Sequence, residues 1–259
     1  MGEKAVTVNP YSLSSFYCVQ YSDSTPVGSA TCFLTKQDDQ YYLVTNWHVA
    51  TGRNPDSGAL ISSTGVLPNA LHVFFPRETD EGVDFGSYQK IPLFDVDGNP
   101  QWREKKVGRR YLDVVVIPVT LNSMFTPYCI EDSEEPFNEN PLVEITSSLY
   151  VLGFPFGRQW GALPIWKKAS IASEPEYEAE EGFPYFFVDS ASRSGMSGSP
   201  VVLFERRPIT ILEEKQGIMS HHFTKLIGVY SGRIGVNDVG DVQLGRVWKA
   251  SVINELIKG

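Results

Sequence analysis

The chain has 259 residues, of which 31 are acidic and 22 basic, giving a formal net charge of −9 that argues against a nucleic-acid-binding role, since such proteins present a basic face. Hydrophobic residues make up 42%, enough for a sizeable core, yet no apolar run approaches the length of a membrane span. The 22 glycines and 17 prolines are scattered, which suits many short strands and tight turns better than long helices.

The chain opens Met1-Gly2-Glu3-Lys4 and develops no apolar core there, so no signal peptide is expected and the expected location is cytoplasmic. Residues 29–35 and 41–47 are rich in β-branched and aromatic side chains and flank Asp38-Asp39, a hairpin pattern. Residues 71–75, 89–94 and 112–119 read as further strands, the last an apolar run that begins at Asp113. Between them Arg103, Lys105, Lys106, Arg109 and Arg110 form the one dense basic stretch, read as a solvated loop with a partner-binding patch as the alternative. Residues 120–145 change character, and the acidic run Glu131 to Pro136 suits a linker between two halves, 1–125 and 126–259. Strand signals resume at 147–153, 165–172, 184–189, 199–204, 225–231 and 241–248, interrupted by an acidic loop from Glu174 to Glu181. From Val247 the period becomes helical, with Ala250, Ser251, Ile253, Asn254 and Ile257 on one face of a docked C-terminal helix. The expected architecture is all-β: two six-stranded antiparallel β-barrels and a terminal α-helix.

Three cysteines, Cys18, Cys32 and Cys129, are too few and too scattered for a disulfide framework or a zinc motif. They read as reduced, buried thiols, with a single Cys18–Cys32 bridge as the alternative.

The strongest chemical signal is Gly195-Met196-Ser197-Gly198-Ser199-Pro200 just before the apolar run Val201 to Phe204. Glycines flanking a serine permit strained backbone and close substrate approach. A nucleophilic serine also needs backbone N–H groups aimed at the developing oxyanion, and the amides of Gly195 and Ser197 are the natural donors. Serine is a poor nucleophile without a base in reach. Of the four histidines, His48 ends the packed run Leu43 to Trp47, which would fix its position. His72 lies inside a candidate strand, and His221 and His222 lie in a polar turn, read as a solvated loop rather than a metal site. The base in turn needs a carboxylate. Asp113 opens an apolar strand, where burial without a partner would be costly and an imidazole N–H would satisfy it. No cofactor or metal is implied, because this chemistry needs none.

These segments resemble the signatures of the chymotrypsin/trypsin-like serine peptidases. Thr45-Asn46-Trp47-His48-Val49 is similar to the bacterial T-N-x-H-V form of the histidine motif, Asp113-Val-Val-Val-Ile117 to the aspartate strand, and the hexapeptide at Ser197 to G-D-S-G-G-P. The order His, Asp, Ser is that of this family. Gly153-Phe-Pro-Phe-Gly157 onward resembles the second barrel of its bacterial members. The resemblance implies a serine endopeptidase with His48, Asp113 and Ser197 as a triad between two barrels, acting on protein or peptide substrates through an acyl-enzyme. It also implies that Ser231 and Gly232 line the substrate channel and that Ala191 and Ser192 form the base of the primary pocket. With no aspartate at that base, cleavage after lysine or arginine loses its charge partner. Arg233 at the pocket wall would favour an acidic side chain if it points inward, and a pocket for small or apolar side chains is the default.

Two departures matter. Met196 replaces the aspartate that in zymogen-derived relatives pairs with a newly cut N-terminal amine, so activation by N-terminal cleavage is not expected; the enzyme would be constitutively competent or switched by a regulatory protein partner or by ordering of a loop. Val49 replaces the cysteine of the disulfide beside the histidine. Two other readings stay open: a catalytically silent peptide-binding module of the same fold, and an esterase-like hydrolase using the same three groups.

Overall fold

The computed structural model describes residues 7–134, 143–158, 161–191, 193–206, 210–212, 217–219, 222–233 and 244–259; at residues 206, 210–212, 217–219, 222 and 233 it describes the backbone alone. Six strands of the first half form one curled antiparallel sheet. They are β1 (Ser15–Ser22), β2 (Thr25–Gln37), β3 (Gln40–Thr45), β4 (Ala70–Val73), β5 (Gln89–Pro92) and β6 (Val115–Val119), in the spatial order β6-β3-β2-β1-β4-β5. The β2–β3 hairpin turns at Asp38 and Asp39, with φ of 49° and 63°. Positive φ at both central residues matches the right-handed twist of paired strands, and aspartate tolerates that region better than most residues.

Six further strands close into an antiparallel barrel. They are β7 (Ser148–Gly153), β8 (Ile165–Ile171), β9 (Tyr185–Asp189), β10 (Pro200–Arg206), β11 (His222–Arg233) and β12 (Leu244–Lys249), in the order β7-β8-β9-β12-β11-β10. Two helices matter to the site and the packing: the short α1 (Trp47–Thr51) and the terminal α2 (Ser251–Lys258).

Alternation along the strands builds three cores. Cys32 and Leu34 of β2 point into the first sheet's own core with Leu43, Leu71 and Val115, while Phe33 between them faces the other way. In β10, Val201 and Leu203 fill the barrel with Leu149, Phe186 and Val247, and Val202 faces out. The outward set meets in a third cluster between the halves: Phe33, Val44 and Val116 from the sheet, Val202, Val229 and Trp248 from the barrel, and Val252, Ile253, Leu256 and Ile257 from α2. Strands apolar on both faces are therefore the seam that holds the halves together. The N-terminal segment adds to it, as Ser15 Oγ donates to Leu152 O at 2.8 Å and Trp166 Nε1 to Ser12 Oγ at 2.9 Å.

Three local differences from the sequence reading have physical causes. Strand β1 has no alternation to read, because its outer residues Tyr17, Val19 and Tyr21 are as apolar as the inner Phe16 and Cys18; Tyr17 and Tyr21 are covered by ring contacts with Phe74 and His72. The run at His48 leaves the strand after Thr45 and turns into α1, which ends at Gly52 with φ 67°. Val247 belongs to β12, and α2 buries Val252, Ile253, Leu256 and Ile257, with Asn254 exposed. Cys18, Cys32 and Cys129 are free and buried. Among the described residues no helix is long and apolar enough to cross a membrane, and no group of His, Cys, Asp and Glu side chains could hold a metal ion.

Trp248 is fully buried at the seam, with its ring 5.4 Å from that of Tyr185. Trp248→Ala should lose about 3–5 kcal/mol of stability in urea unfolding. Trp248→Phe should lose far less, because the indole N–H is buried without an acceptor among the described residues.

Candidate active site

The site begins at the end of β3. Val115 of β6 lies opposite Thr45, so Asp113, two residues before Val115, lies beside the chain that leaves β3. Asn46 Nδ2 donates to Asp113 O at 2.7 Å and ties the two segments. Asp113 is 2% exposed. Its Oδ1 accepts from the backbone N–H of His48 at 2.9 Å, in the first turn of α1, where Asn46 supplies no side-chain cap. A carboxylate there satisfies one of the helix's orphan donors. The imidazole completes the set: His48 Nδ1 lies 2.8 Å from Asp113 Oδ2 and 3.0 Å from Oδ1. An ionised carboxylate only accepts, so Nδ1 carries the proton and Nε2 is left as a base. Trp47 steadies the turn, stacking on Tyr111 at 4.5 Å and donating its Nε1 to Glu104 at 2.6 Å.

Burial pulls the pKa of His48 down, but the charge of Asp113 and its hydrogen bond outweigh it and hold the imidazole above its ordinary 6.5. The pair contributes stability in full below the unfolded pKa near 6.5 and loses it as pH rises through the folded value.

The turn carrying Ser197 is clasped to the same rim of the first sheet. Thr31 N–H donates to Ser197 O at 2.9 Å, and Thr31 O accepts from Thr45 Oγ1 at 2.9 Å. Gly198, with φ 81°, passes so close that a Cβ there would sit 2.1 Å from Thr31 O, so this approach requires glycine. Ser197 itself is partly exposed. Met196, next to it, is 1% exposed and packs in the barrel core.

The orientation of the backbone N–H groups follows from where the carbonyls go. Ser194 O accepts from Phe156 N–H at 2.9 Å, and Met196 O from Ser199 N–H at 3.1 Å. In a trans peptide the N–H points opposite to the preceding C=O, and the chain has no cis peptides among its described residues. The N–H groups of Gly195 and Ser197 therefore point away from those anchors, and neither has an acceptor among the described residues. Gly195 holds φ 96°, and successive amides around such a residue make an anion-binding concavity.

The structure brings the sequence candidates together unevenly. His48 and Asp113 are hydrogen-bonded, and Ser197, Gly195 and Gly198 share one turn on the rim that leads to His48. No hydrogen bond joins Ser197 Oγ to His48 among the described residues. Gly232 faces the serine, since a Cβ there would lie 3.9 Å from Ser197 Oγ. The β11–β12 register slips between Tyr230 and Arg233, so Ser231 and Gly232 drop out of that ladder. Ala191 is partly buried and lines an open cup with Pro155, Phe156, Ile165, Trp166 and Arg193. Ser192, His221 and the side chains of His222 and Arg233 lie outside the described residues. His72 is stacked between Tyr21 and Tyr88, with centroids 3.9 and 4.4 Å away, in a surface aromatic array. Sequence reasoning missed Thr31 and Asn46. No local pattern marks Thr31, whose complete burial shows only in the fold.

A family model described as a trypsin-like peptidase domain matches residues 30–209. No curated protein sequence matches the chain. Among solved structures, the chain is similar to a serine endoprotease from Yersinia pestis at 12% identity and a TM-score of 0.51, covering 98% of this chain and 67% of that one. It is also similar to the Rv3671c protease of M. tuberculosis in an inactive form, at 14% identity and a TM-score of 0.47 over 95% of this chain and 88% of that one. At these identities the likeness to the Yersinia structure shows the fold, chymotrypsin-like with a C-terminal helix.

Asp113→Asn should lower the His48 pKa, because burial remains while the carboxylate charge is gone. Imidazole NMR titration reads this directly; an unchanged midpoint would mean that Asp113 does not set the ionisation.

Proposed function

The chain belongs to the trypsin-like peptidase family, and on that footing we propose that it is a serine endopeptidase acting on protein or peptide substrates through His48, Asp113 and Ser197. One observation carries the reading: a buried carboxylate holds His48 by Nδ1 and leaves Nε2 free, on the rim to which the Ser197 turn is clasped.

His48 Nε2 takes the Ser197 proton as Oγ attacks the substrate carbonyl, and imidazolium forms beside Asp113, whose negative charge stabilises it. The carbonyl oxygen becomes an oxyanion, and the N–H groups of Gly195 and Ser197, which have no acceptor among the described residues, receive it. The tetrahedral intermediate collapses, the imidazolium gives its proton to the leaving amine, and an acyl-enzyme remains. Water, deprotonated by the same imidazole, attacks the ester and regenerates Ser197. Hydrogen bonds of this kind often tighten only when substrate is bound, which accommodates the open Ser197–His48 pair. Ser231 and Gly232, released from the β12 ladder, would pair with an extended peptide beside the nucleophile. Ala191 and Ser192 would bound the primary pocket, with Arg233 at its wall.

Met196 in the barrel core leaves no carboxylate beside the nucleophile for a new N-terminal amine to meet. Competence on this reading does not depend on cutting the N-terminus, and a regulatory partner would have to act on the loops instead.

A fluorophosphonate probe tests the reading. Wild type should be labelled, and Ser197→Ala and His48→Ala should not; Asp113→Asn should slow labelling by about ten-thousandfold. An unlabelled wild type would leave the silent peptide-binding module as the better account.

A further inference from the structure

Thr31 is 0% exposed in β2, amid a strand that is otherwise apolar there. A buried hydroxyl has to be satisfied, and this one is, on both sides. Its oxygen donates to Gly195 O at 2.8 Å and accepts from Phe154 N–H at 3.2 Å. The hydroxyl has one proton, and the two roles are compatible because one partner is a carbonyl and the other an amide.

These two bonds bear on the amide that faces the oxyanion. Gly195 stands between two peptide groups. The one before it is held by Phe156 N–H on Ser194 O. The one after it is held by Thr31 Oγ1 on Gly195 O. Glycine at φ 96° has little steric preference of its own, so nothing intrinsic keeps its N–H outward. Thr31 fixes the second peptide directly. Through Phe154 N–H it also holds the turn that supplies Phe156 N–H, a turn closed by Gly157 N–H on Phe154 O at 3.0 Å. Phe156 sits in that turn at φ 60°, a region costly for a phenylalanine. Such a conformation persists where its surroundings determine it, and the Thr31 hydroxyl is one of the groups that do so.

We propose that Thr31 is a positioning residue of the Ser197 site: its hydroxyl pins the Gly195–Met196 peptide directly, steadies the Ser194–Gly195 peptide through the turn that begins at Phe154, and so keeps the Gly195 N–H aimed at the developing oxyanion. The proposal rests on the catalytic reading above. Thr31 touches no reacting atom, and its effect passes through Gly195.

The test compares wild type, Thr31→Val and Thr31→Ser. Valine keeps the shape and loses the hydroxyl; serine keeps the hydroxyl. The readout is the acylation burst with p-nitrophenyl acetate, an activated ester that needs no knowledge of the natural substrate, followed across pH. Loss of a whole oxyanion donor costs about a hundred- to a thousandfold in rate, so loosening one should cost about tenfold. The plateau for Thr31→Val should fall by that factor, its pH midpoint should stay at the wild-type value because His48 and Asp113 are untouched, and Thr31→Ser should recover the rate. If Thr31→Val does not fold by thermal melting, Thr31→Ala takes its place in the same comparison. A wild-type plateau without the hydroxyl, a shifted midpoint, or failure of serine to restore the rate would overturn the proposal. A wild type with no burst would overturn the catalytic reading beneath it, and the two failures are therefore distinguishable.

Discussion

A carboxylate cannot be left in an apolar interior without donors, and the first half of this fold is arranged to give Asp113 its donors. The residue is 2% exposed and takes hydrogen bonds from the backbone and the side chain of His48. Meeting that demand requires β3 to end at Thr45, the chain to turn into α1, and β6 to enter in one register against β3. A slip of one residue would send Asp113 to the other face and leave it unpaired. The constraint that satisfies the acid therefore also orients the imidazole and selects its tautomer. Structure and chemistry draw on the same contact.

The second constraint is mechanical. The groups of the site come from both halves of the molecule, so the halves must not slide. Their seam is apolar, built from outward residues such as Phe33, Val44, Val202 and Trp248 and sealed by α2. Apolar packing resists separation but is not directional. Direction comes from Thr31 and Thr45, whose hydroxyls and backbone tie the Ser197 turn to the end of the first sheet. Two threonines thus set the relation between the turn that carries the serine and the segment that carries the histidine.

How far the sequence revealed this depended on which signals were local. The resemblance of three ordered motifs carried the family and the fold, because histidine, aspartate and serine each sit in a short recognisable run. The Asp38-Asp39 turn was legible from its chemistry. Strand β1 was not, because rings cover its outer face and erase the polar half of its alternation. The position of His48 in a helix rather than at a strand end was hidden because α1 is one turn long and its cap comes from Asp113, 65 residues away. Thr31 was invisible as a functional residue for a similar reason. Its partners are Phe154 and Gly195, and no local pattern announces a contact across that span. Side-chain roles set by tertiary hydrogen bonds escape a reading of local periodicity.

On the proposed reading His48, Asp113 and Ser197 act as one unit. Combining their removals tests it most directly. Rates of p-nitrophenyl acetate hydrolysis would be compared for His48→Ala, for Ser197→Ala and for the variant lacking all three groups, against the uncatalysed reaction. Groups that act as a unit give non-additive losses. The account predicts that the triple variant is no slower than Ser197→Ala and that His48→Ala is nearly as slow. Losses that multiply from one variant to the next, or a His48→Ala protein that keeps most of its rate, would contradict it.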